Sequence, residues 1–124
     1  MYKEVKYTTA LNAVTATTTS DPISIEGAKK VILELTRANH SAGSSAFKVQ
    51  VSWDGVTYTD FAGLIDNIIN SNAQTITRVV TKTLSSDITA YVAMDLEYLW
   101  FKWIKVVVTE TTDGTHTAKV AVQF

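Results

Sequence analysis

Hydrophobic and polar residues alternate along most of the chain. The clearest stretch is 47–53, where Phe, Val, Val and Trp are separated by Lys, Gln and Ser. A period of two places successive side chains on opposite faces of a β-strand, so this segment is predicted to be a strand with one buried face and one solvated face. The same alternation predicts further strands within residues 3–9, 15–20, 31–36, 75–84, 88–94, 99–109 and 118–124.

Turn sequences separate several of these segments. Asp54-Gly55 tolerates the positive φ of a tight hairpin, so Val56–Thr59 is predicted to be the returning strand. Thr111–Thr115 is predicted to form a second hairpin turn that leads into the last strand. Phe61–Asn72 carries apolar residues at helical spacing and is predicted to be a loop with one helical turn.

Eight or nine short strands with a turn every ten residues or so are typical of an all-β protein. We expect residues 1–124 to form a single antiparallel β-sandwich, with a jelly roll as the preferred topology. An immunoglobulin-like sandwich is the alternative, because periodicity does not give the strand order. Residues 1–22 are expected to form an N-terminal arm or an edge strand.

Composition agrees with this fold class. The chain holds 19 Thr, 14 Val and 9 Ile among 124 residues, and side chains branched at Cβ suit a pleated sheet better than a helix. It holds no Cys, which excludes disulfides, Cys-ligated zinc, iron–sulfur clusters and thiol nucleophiles.

Charge and hydropathy argue against two classes of partner. The net charge is −1 and charges of both signs are interspersed, so nucleic acid is not an expected partner. The longest apolar run is five residues, 90–94, which is too short to cross a membrane. Residues 1–7 resemble no secretory signal, so synthesis in the cytoplasm is expected.

Residues with catalytic side chains form no recognisable site. His40 and His116 are predicted to lie exposed in loops, and no Gly-x-Ser-x-Gly sequence surrounds a serine. Asp95 and Glu97 would face the same side of a strand about 6–7 Å apart, a separation to consider for a glycosidase. Their position at a predicted strand end favours a structural role. We therefore expect no catalytic residue, no metal site and no cofactor, and no enzymatic activity.

The segment 100–105 interleaves aromatic and basic residues. If extended, it places Trp100 on one face and Phe101 with Trp103 on the other. Such a segment suits a strand with one face in the core, and large aromatics beside Lys are also common in protein interfaces. Sugar stacking and base stacking are further possibilities for the same rings.

Two stretches resemble small virion proteins of tailed bacteriophages. Residues 21–35 resemble the "I-x-I-x-G" step and following aliphatic strand that open such proteins, and 47–58 resembles the "S-x-D-G-x-x-Y/W" hairpin of phage head and tail accessory modules. The resemblance implies a non-enzymatic jelly-roll protein of the capsid decoration (cement) or head-fibre type. The chain lacks a long stalk, which favours decoration.

The resemblance implies a virion protein that binds the outer face of an icosahedral shell. The major capsid protein or other virion proteins would be its partners, and a homo-oligomer around a symmetry axis, such as a trimer, is expected. The predicted contact residues are Tyr98, Trp100 and Trp103, with Thr15 and Thr17 in the N-terminal arm. The alternative is a carbohydrate-binding or receptor-binding module of a phage tail or fibre, with Trp53, Tyr58 or Trp103 stacking on a glycan.

Overall fold

A computed structural model describes residues 4–66 and 77–124 of the chain. These residues form twelve β-strands and one 3₁₀ turn, and they include no α-helix. The strands are β1 Val5–Val14, β2 Thr18–Thr19, β3 Ile23–Ser24, β4 Lys30–Ala38, β5 Ser45–Ser52, β6 Thr59–Asp60, β7 Leu64–Asp66, β8 Thr77–Val79, β9 Thr81–Leu84, β10 Ile88–Met94, β11 Trp103–Glu110 and β12 Thr115–Gln123. The 3₁₀ turn is Leu96–Tyr98. No helix in these two ranges is long and apolar enough to cross a membrane.

The strands form two antiparallel sheets. Sheet A has the order β1-β12-β4-β10-β7-β8, and sheet B has the order β2-β11-β5-β6, with β3 beside β11 and β9 beside β5. The predicted all-β sandwich is therefore confirmed. The jelly roll remains an interpretation, which this order favours because β1, β12, β4 and β10 lie in one sheet while β2, β11, β5 and β9 lie in the other.

Alternate side chains from the inner faces of both sheets fill the core. In sheet A, Val31, Leu33 and Leu35 are buried while the residues between them reach the surface. In sheet B, Val49 and Val106 come from neighbouring strands and share a register position, so their side chains meet on the buried face. The alternation read from the sequence is therefore the core pattern of the molecule.

Several element boundaries differ from the prediction. The first strand continues to Val14, well beyond residue 9, and the strand predicted over 99–109 begins only at Trp103. The predicted turn at Asp54-Gly55 is present, but its returning strand begins at Thr59 and not at Val56. The Asp54 carboxylate accepts hydrogen bonds from Ser52 Oγ, Val56 N and Thr57 N, and these bonds hold residues 52–57 in the turn.

The predicted helical turn within 61–72 is wrong for the part that the structure describes. Leu64–Asp66 is strand β7, which pairs with both β10 and β8. Pairing on both sides overrides the local helical spacing of the apolar residues. Residues 67–72 of that segment, residues 75–76 of the following predicted strand, and Lys3 of the first predicted strand lie outside the described residues.

Thr111–Thr115 does not close a hairpin. The strand before it, β11, pairs with β5 in sheet B, and the strand after it, β12, pairs with β1 and β4 in sheet A. The turn therefore carries the chain from one sheet to the other. Its Asp and Gly residues predict a reversal of direction correctly, but they carry no information about which sheet the next strand joins.

Candidate interaction site

Exposed aromatic side chains are concentrated at one end of the sandwich. Trp53 and Trp100 are 57% and 60% exposed, and their ring centroids lie 5.1 Å apart. Phe101 stacks against Trp100 at 5.5 Å with an interplanar angle of 10° and also contacts Trp53 at 6.3 Å. Tyr98 (44% exposed) and Leu96 (60% exposed) lie beside them in sequence on the 3₁₀ turn. We call these five residues the aromatic patch.

Hydrogen bonds hold the 3₁₀ turn and the residues just after it, which together carry every patch residue except Trp53. The Asp95 carboxylate accepts from Glu97 N at 3.1 Å and so caps the start of the turn. The Trp100 indole donates its Nε1–H to the Glu97 carbonyl at 2.9 Å. The Trp100 ring is therefore fixed in orientation, with Phe101 stacked on one face and 60% of the residue exposed.

The remaining patch residue, Trp53, is positioned by the turn after β5. Trp53 follows the last residue of that strand, and Asp54 accepts hydrogen bonds from the backbone N–H groups of Val56 and Thr57, both at 2.8 Å. These bonds hold the pKa of Asp54 below its usual range, with the Thr57 bond as the largest cause. The turn thus presents Trp53 outward beside Trp100.

An apolar cleft of about 480 Å³ adjoins the patch. It is lined by Val51, Thr59, Asp60, Phe61, Ala62, Gly63, Arg78, Tyr98 and Phe101. Phe61 is buried and meets the Tyr98 ring edge-on at 6.5 Å, while Phe101 belongs both to this lining and to the patch. We call this the Phe61 cleft. Patch and cleft form one continuous surface through Phe101.

The charged groups at the cleft are paired with other protein groups. Asp60 accepts from Lys48 Nζ at 3.1 Å and from Gln50 Nε2 at 3.2 Å, and these bonds, Gln50 first, lower the pKa of Asp60. Arg78 Nε donates to the buried Asp95 carboxylate at 2.5 Å. That pairing lowers the pKa of Asp95 and raises the pKa of Arg78.

The structure separates the predicted contact residues into different environments. Tyr98 and Trp100 lie in the aromatic patch, whereas Trp103 is half-buried on β11 and lines a smaller cleft of about 280 Å³ with Tyr58. The Tyr58 ring also lies 4.3 Å below Lys105 Nζ. Trp103 is therefore tied into the strand framework, and its contact role remains a prediction.

Thr15 and Thr17 lie apart from the aromatic residues in the chain segment between β1 and β2. Both are exposed, and Thr17 Oγ1 accepts a hydrogen bond from Glu110 N at 3.0 Å. β1 pairs with β12 as an edge strand of sheet A. Contact between residues 1–22 and a neighbouring molecule remains a prediction.

The prediction for His116 is wrong. Its side chain is fully buried on β12, on the same face as Ala118 and Val120, because the inward alternation of that strand begins at His116. Ser45 Oγ lies 2.9 Å from His116 Nδ1, and Glu110 Oε2 lies 3.7 Å from His116 Nε2. Ser45 and His116 have no solvent-accessible surface, so this serine is not available to a substrate. His40, by contrast, lies in a loop at the surface and pairs with Asp87.

The pair Asp95 and Glu97 lacks the character of a glycosidase site. Asp95 is buried, and its two carboxylate oxygens accept hydrogen bonds from Arg78 Nε and from Glu97 N, so its carboxylate is not open to a substrate. Within residues 4–66 and 77–124, no group of three or more His, Asp or Glu side chains is placed to hold a metal ion.

One feature of the site was missed in the sequence, and another was predicted only under the alternative function. The alternation of Val49 and Val51 predicts Trp53 on their buried face, and only the carbohydrate-binding alternative uses it as an exposed ring. In the structure β5 ends one residue earlier and the ring is exposed. The Phe61 cleft joins segments distant in sequence, including Arg78 of β8. The Asp54-Gly55 turn is a sequence signal for the exposure of Trp53, since a turn releases the residue before it from the strand.

No protein-family model and no curated protein sequence matches the chain. Solved structures share its fold. The SPBc2 prophage-derived protein YomS is similar with a TM-score of 0.70 and 14% identity, over 100% of this chain and 96% of YomS. The PBSX exported protein XepA is similar with a TM-score of 0.70 and 13% identity, over 100% of this chain and 39% of XepA.

A structure of infectious bursal disease virus, Gx strain, is similar at a lower level. Its TM-score is 0.51 and its identity 10%, over 100% of this chain and 33% of the viral chain. At such identities the likeness shows a common fold. The chain therefore shares its β-sandwich with a prophage-derived protein, with part of an exported protein and with part of a viral protein, and no family match points to capsid decoration.

Proposed function

We propose that this chain is a virion structural protein that decorates the outer face of an icosahedral shell. The observation that carries the proposal is the aromatic patch, in which two large Trp rings are held exposed by hydrogen-bonded turns. Aromatic residues are enriched at the energetic centres of protein interfaces, because they bury much apolar area with few rotatable bonds. The fold shared with the SPBc2 prophage-derived protein YomS supports the phage setting.

The proposed mode of action is adhesion between subunits. Docking of the patch on the major capsid protein would bury apolar surface that otherwise faces water, at roughly 25 cal/mol per Å². A protein that bridges neighbouring capsid subunits adds that free energy to the work needed to rupture the shell. Several copies arranged around a symmetry axis would multiply the effect.

A receptor-binding or carbohydrate-binding module is the second candidate. The exposed ring faces of Trp53 and Trp100 favour it, because aromatic faces are also the surfaces on which sugar rings stack. The two candidates differ in copy number. Mass spectrometry of phage particles from the source strain should find hundreds of copies per particle for a decoration protein and a few for a tail tip, whereas complete absence would contradict both.

Binding to particles tests the surface itself. Purified chain should co-sediment with particles that lack it, and the Trp53→Ala, Trp100→Ala double variant should lose most of that binding. Ile88→Ala is the matched control, since Ile88 is an exposed apolar residue on β10, outside the patch and outside residues 1–22. Undiminished binding by a folded double variant would contradict the proposal.

A further inference from the structure

We infer that the Phe61 cleft is an anchor pocket for one large uncharged side chain of the protein partner. The inference rests on the proposed function, because it places the anchor beside the aromatic patch that makes the wider contact. A volume of about 480 Å³ lies in the range of clefts that hold ligands, and interface hot spots are commonly single side chains seated in such pockets.

The apolar part of the lining favours an apolar occupant. Val51, Phe61 and Ala62 offer carbon atoms and no side-chain hydrogen-bonding group. A sugar hydroxyl placed against these three residues would lose its hydrogen bonds to water, which costs free energy for each group left unsatisfied. A large aliphatic or aromatic side chain has no such groups along its apolar part. The polar side chains of the lining are those of Thr59, Asp60, Arg78 and Tyr98.

The charged groups at the rim are already engaged with other protein groups. Asp60 accepts from Lys48 and Gln50, and Arg78 donates its Nε–H to Asp95. The half-exposed Arg78 side chain keeps further N–H donors, so the preference for an uncharged occupant rests on the apolar part of the lining. A charged side chain seated against that part would give up its hydration to carbon surface, which is costly.

Continuity with the aromatic patch indicates that the anchor comes from a protein. Phe101 contacts both Trp rings on one side and lines the cleft on the other. A polypeptide lying across Trp53 and Trp100 could therefore direct one of its side chains past Phe101 into the cleft. Exposed contacts around a filled pocket exclude water from it and strengthen the anchor.

A substitution that fills the cleft with a larger side chain of this protein tests the inference. Ala62 is exposed and lines the cleft, so Ala62→Trp should occupy the pocket with a side chain of this protein, whereas Ala62→Ser should leave it open. We expect Ala62→Trp to weaken co-sedimentation with particles at least 10-fold, with Ala62→Ser unchanged. Thr59→Tyr, from the exposed edge strand β6, is the second filling variant if Ala62→Trp does not fold.

A binding experiment without particles identifies the occupant. N-acetyl-L-tryptophanamide should shift the NMR amide signals of Phe61 and Phe101 in the wild type but not in Ala62→Trp. A monosaccharide panel that produces these shifts where the tryptophanamide does not would overturn the inference in favour of a glycan site.

The outcomes also separate this inference from the proposed function. Wild-type particle binding by both filling variants, with loss in the Trp53→Ala, Trp100→Ala variant, would overturn the anchor pocket alone. Wild-type binding by all of these variants would overturn both.

Discussion

Ser45 Oγ and His116 Nδ1 lie 2.9 Å apart in the closed space between the two sheets. Ser45 begins β5 of sheet B and His116 lies near the start of β12 of sheet A, so the pair links the sheets with a hydrogen bond inside the core. The Phe47 ring meets the His116 ring edge-on at 6.3 Å and covers the pair from one side.

Removing either partner of this pair should destabilise the fold. Ser45→Ala leaves His116 Nδ1 without a partner in a buried place, and we expect a loss of about 1–3 kcal/mol in the free energy of unfolding. His116→Ala adds a cavity, and we expect about 2–5 kcal/mol. Urea denaturation at pH 7 measures both, with His40→Ala as the surface control. A cost for Ser45→Ala no larger than that for His40→Ala would show that the buried bond contributes little.

The buried guanidinium of Arg37 should organise the loop after β4. It donates to the carbonyls of Ala42 at 2.8 Å, Gly43 at 3.0 Å and Asp113 at 3.1 Å. Arg37→Met would leave these carbonyls without their charged donor, so we expect a loss of about 3 kcal/mol or more. Arg37→Lys should recover only part of it, because an ammonium lacks the planar fork.

Hydrogen exchange provides the local readout for Arg37. Residues 39–44 should lose protection in Arg37→Met before the strands of sheet B do. Equal protection of that loop in the wild type and the variant would contradict the assigned role.

Alanine substitution at two glycines with positive φ distinguishes the cost of backbone strain from the cost of a steric clash. Gly27 has φ +81° and open space around the position of a Cβ, whereas a Cβ on Gly43, with φ +76°, would lie 2.7 Å from Thr111 Oγ1 and from Thr112 Cβ. Both Gly→Ala variants should lose about 1–2 kcal/mol from the left-handed conformation. Gly43→Ala should lose more, and thermal denaturation of the two variants compares them directly. Equal losses would mean that the threonines move aside freely.

Acid should destabilise the protein through its hydrogen-bonded carboxylates. The backbone N–H groups of Thr57 and Val56 lower the pKa of Asp54 in the folded state, and its unfolded value is near 3.8. A lowered folded pKa stabilises the fold above the unfolded value, and this stabilisation is lost as pH falls below about 4 through the folded pKa. Asp60, Asp87, Asp95 and Asp113 act in the same direction.

Asp54→Asn isolates the contribution of one carboxylate. The amide oxygen can still accept the turn hydrogen bonds but does not titrate, so the variant should lose less stability than the wild type between pH 5 and pH 2. Urea midpoints across that range measure the difference. Parallel curves for the two proteins would exclude Asp54 as a source of acid sensitivity.

The aromatic patch should add little to stability. Trp100→Ala removes a ring that is mostly solvated, and we expect a change within about 1 kcal/mol. Ile104→Ala, at the fully buried second position of β11, should cost about 2–5 kcal/mol. A large loss for Trp100→Ala would mean that the patch is part of the core framework and would weaken its assignment as a binding surface.

The strand faces and the turns of this fold can be predicted from the sequence, because they depend on neighbouring residues in the chain. Alternation identified the β-sandwich and the buried face of β4, and the Asp54-Gly55 pair identified a turn, because both follow from side-chain direction and backbone preference. The inward position of His116 follows from the same alternation, since it lies two residues before Ala118.

Residue alternation and turn sequences do not predict which distant segments pair with each other. Leu64–Asp66 is a strand because β10 and β8 flank it, and the turn at Thr111–Thr115 joins two sheets because β11 and β12 find separate partners. The Phe61 cleft depends on the same long-range pairing, so its residues could not be grouped from their positions in the chain.

The place of β12 in sheet A constrains how the protein is made. β12 spans Thr115–Gln123, yet it lies inside the sheet, hydrogen-bonded to β1 on one side and to β4 on the other. Among residues 4–66 and 77–124, β1 pairs with β12 alone, so during translation it lacks this partner until residues 115–123 have left the ribosome. Sheet A must therefore close after synthesis of its earlier strands is complete, and such long-range closure is slow in β proteins. A nascent chain stalled before Thr115 should accordingly be open to proteases and to chaperones that bind unpaired strands.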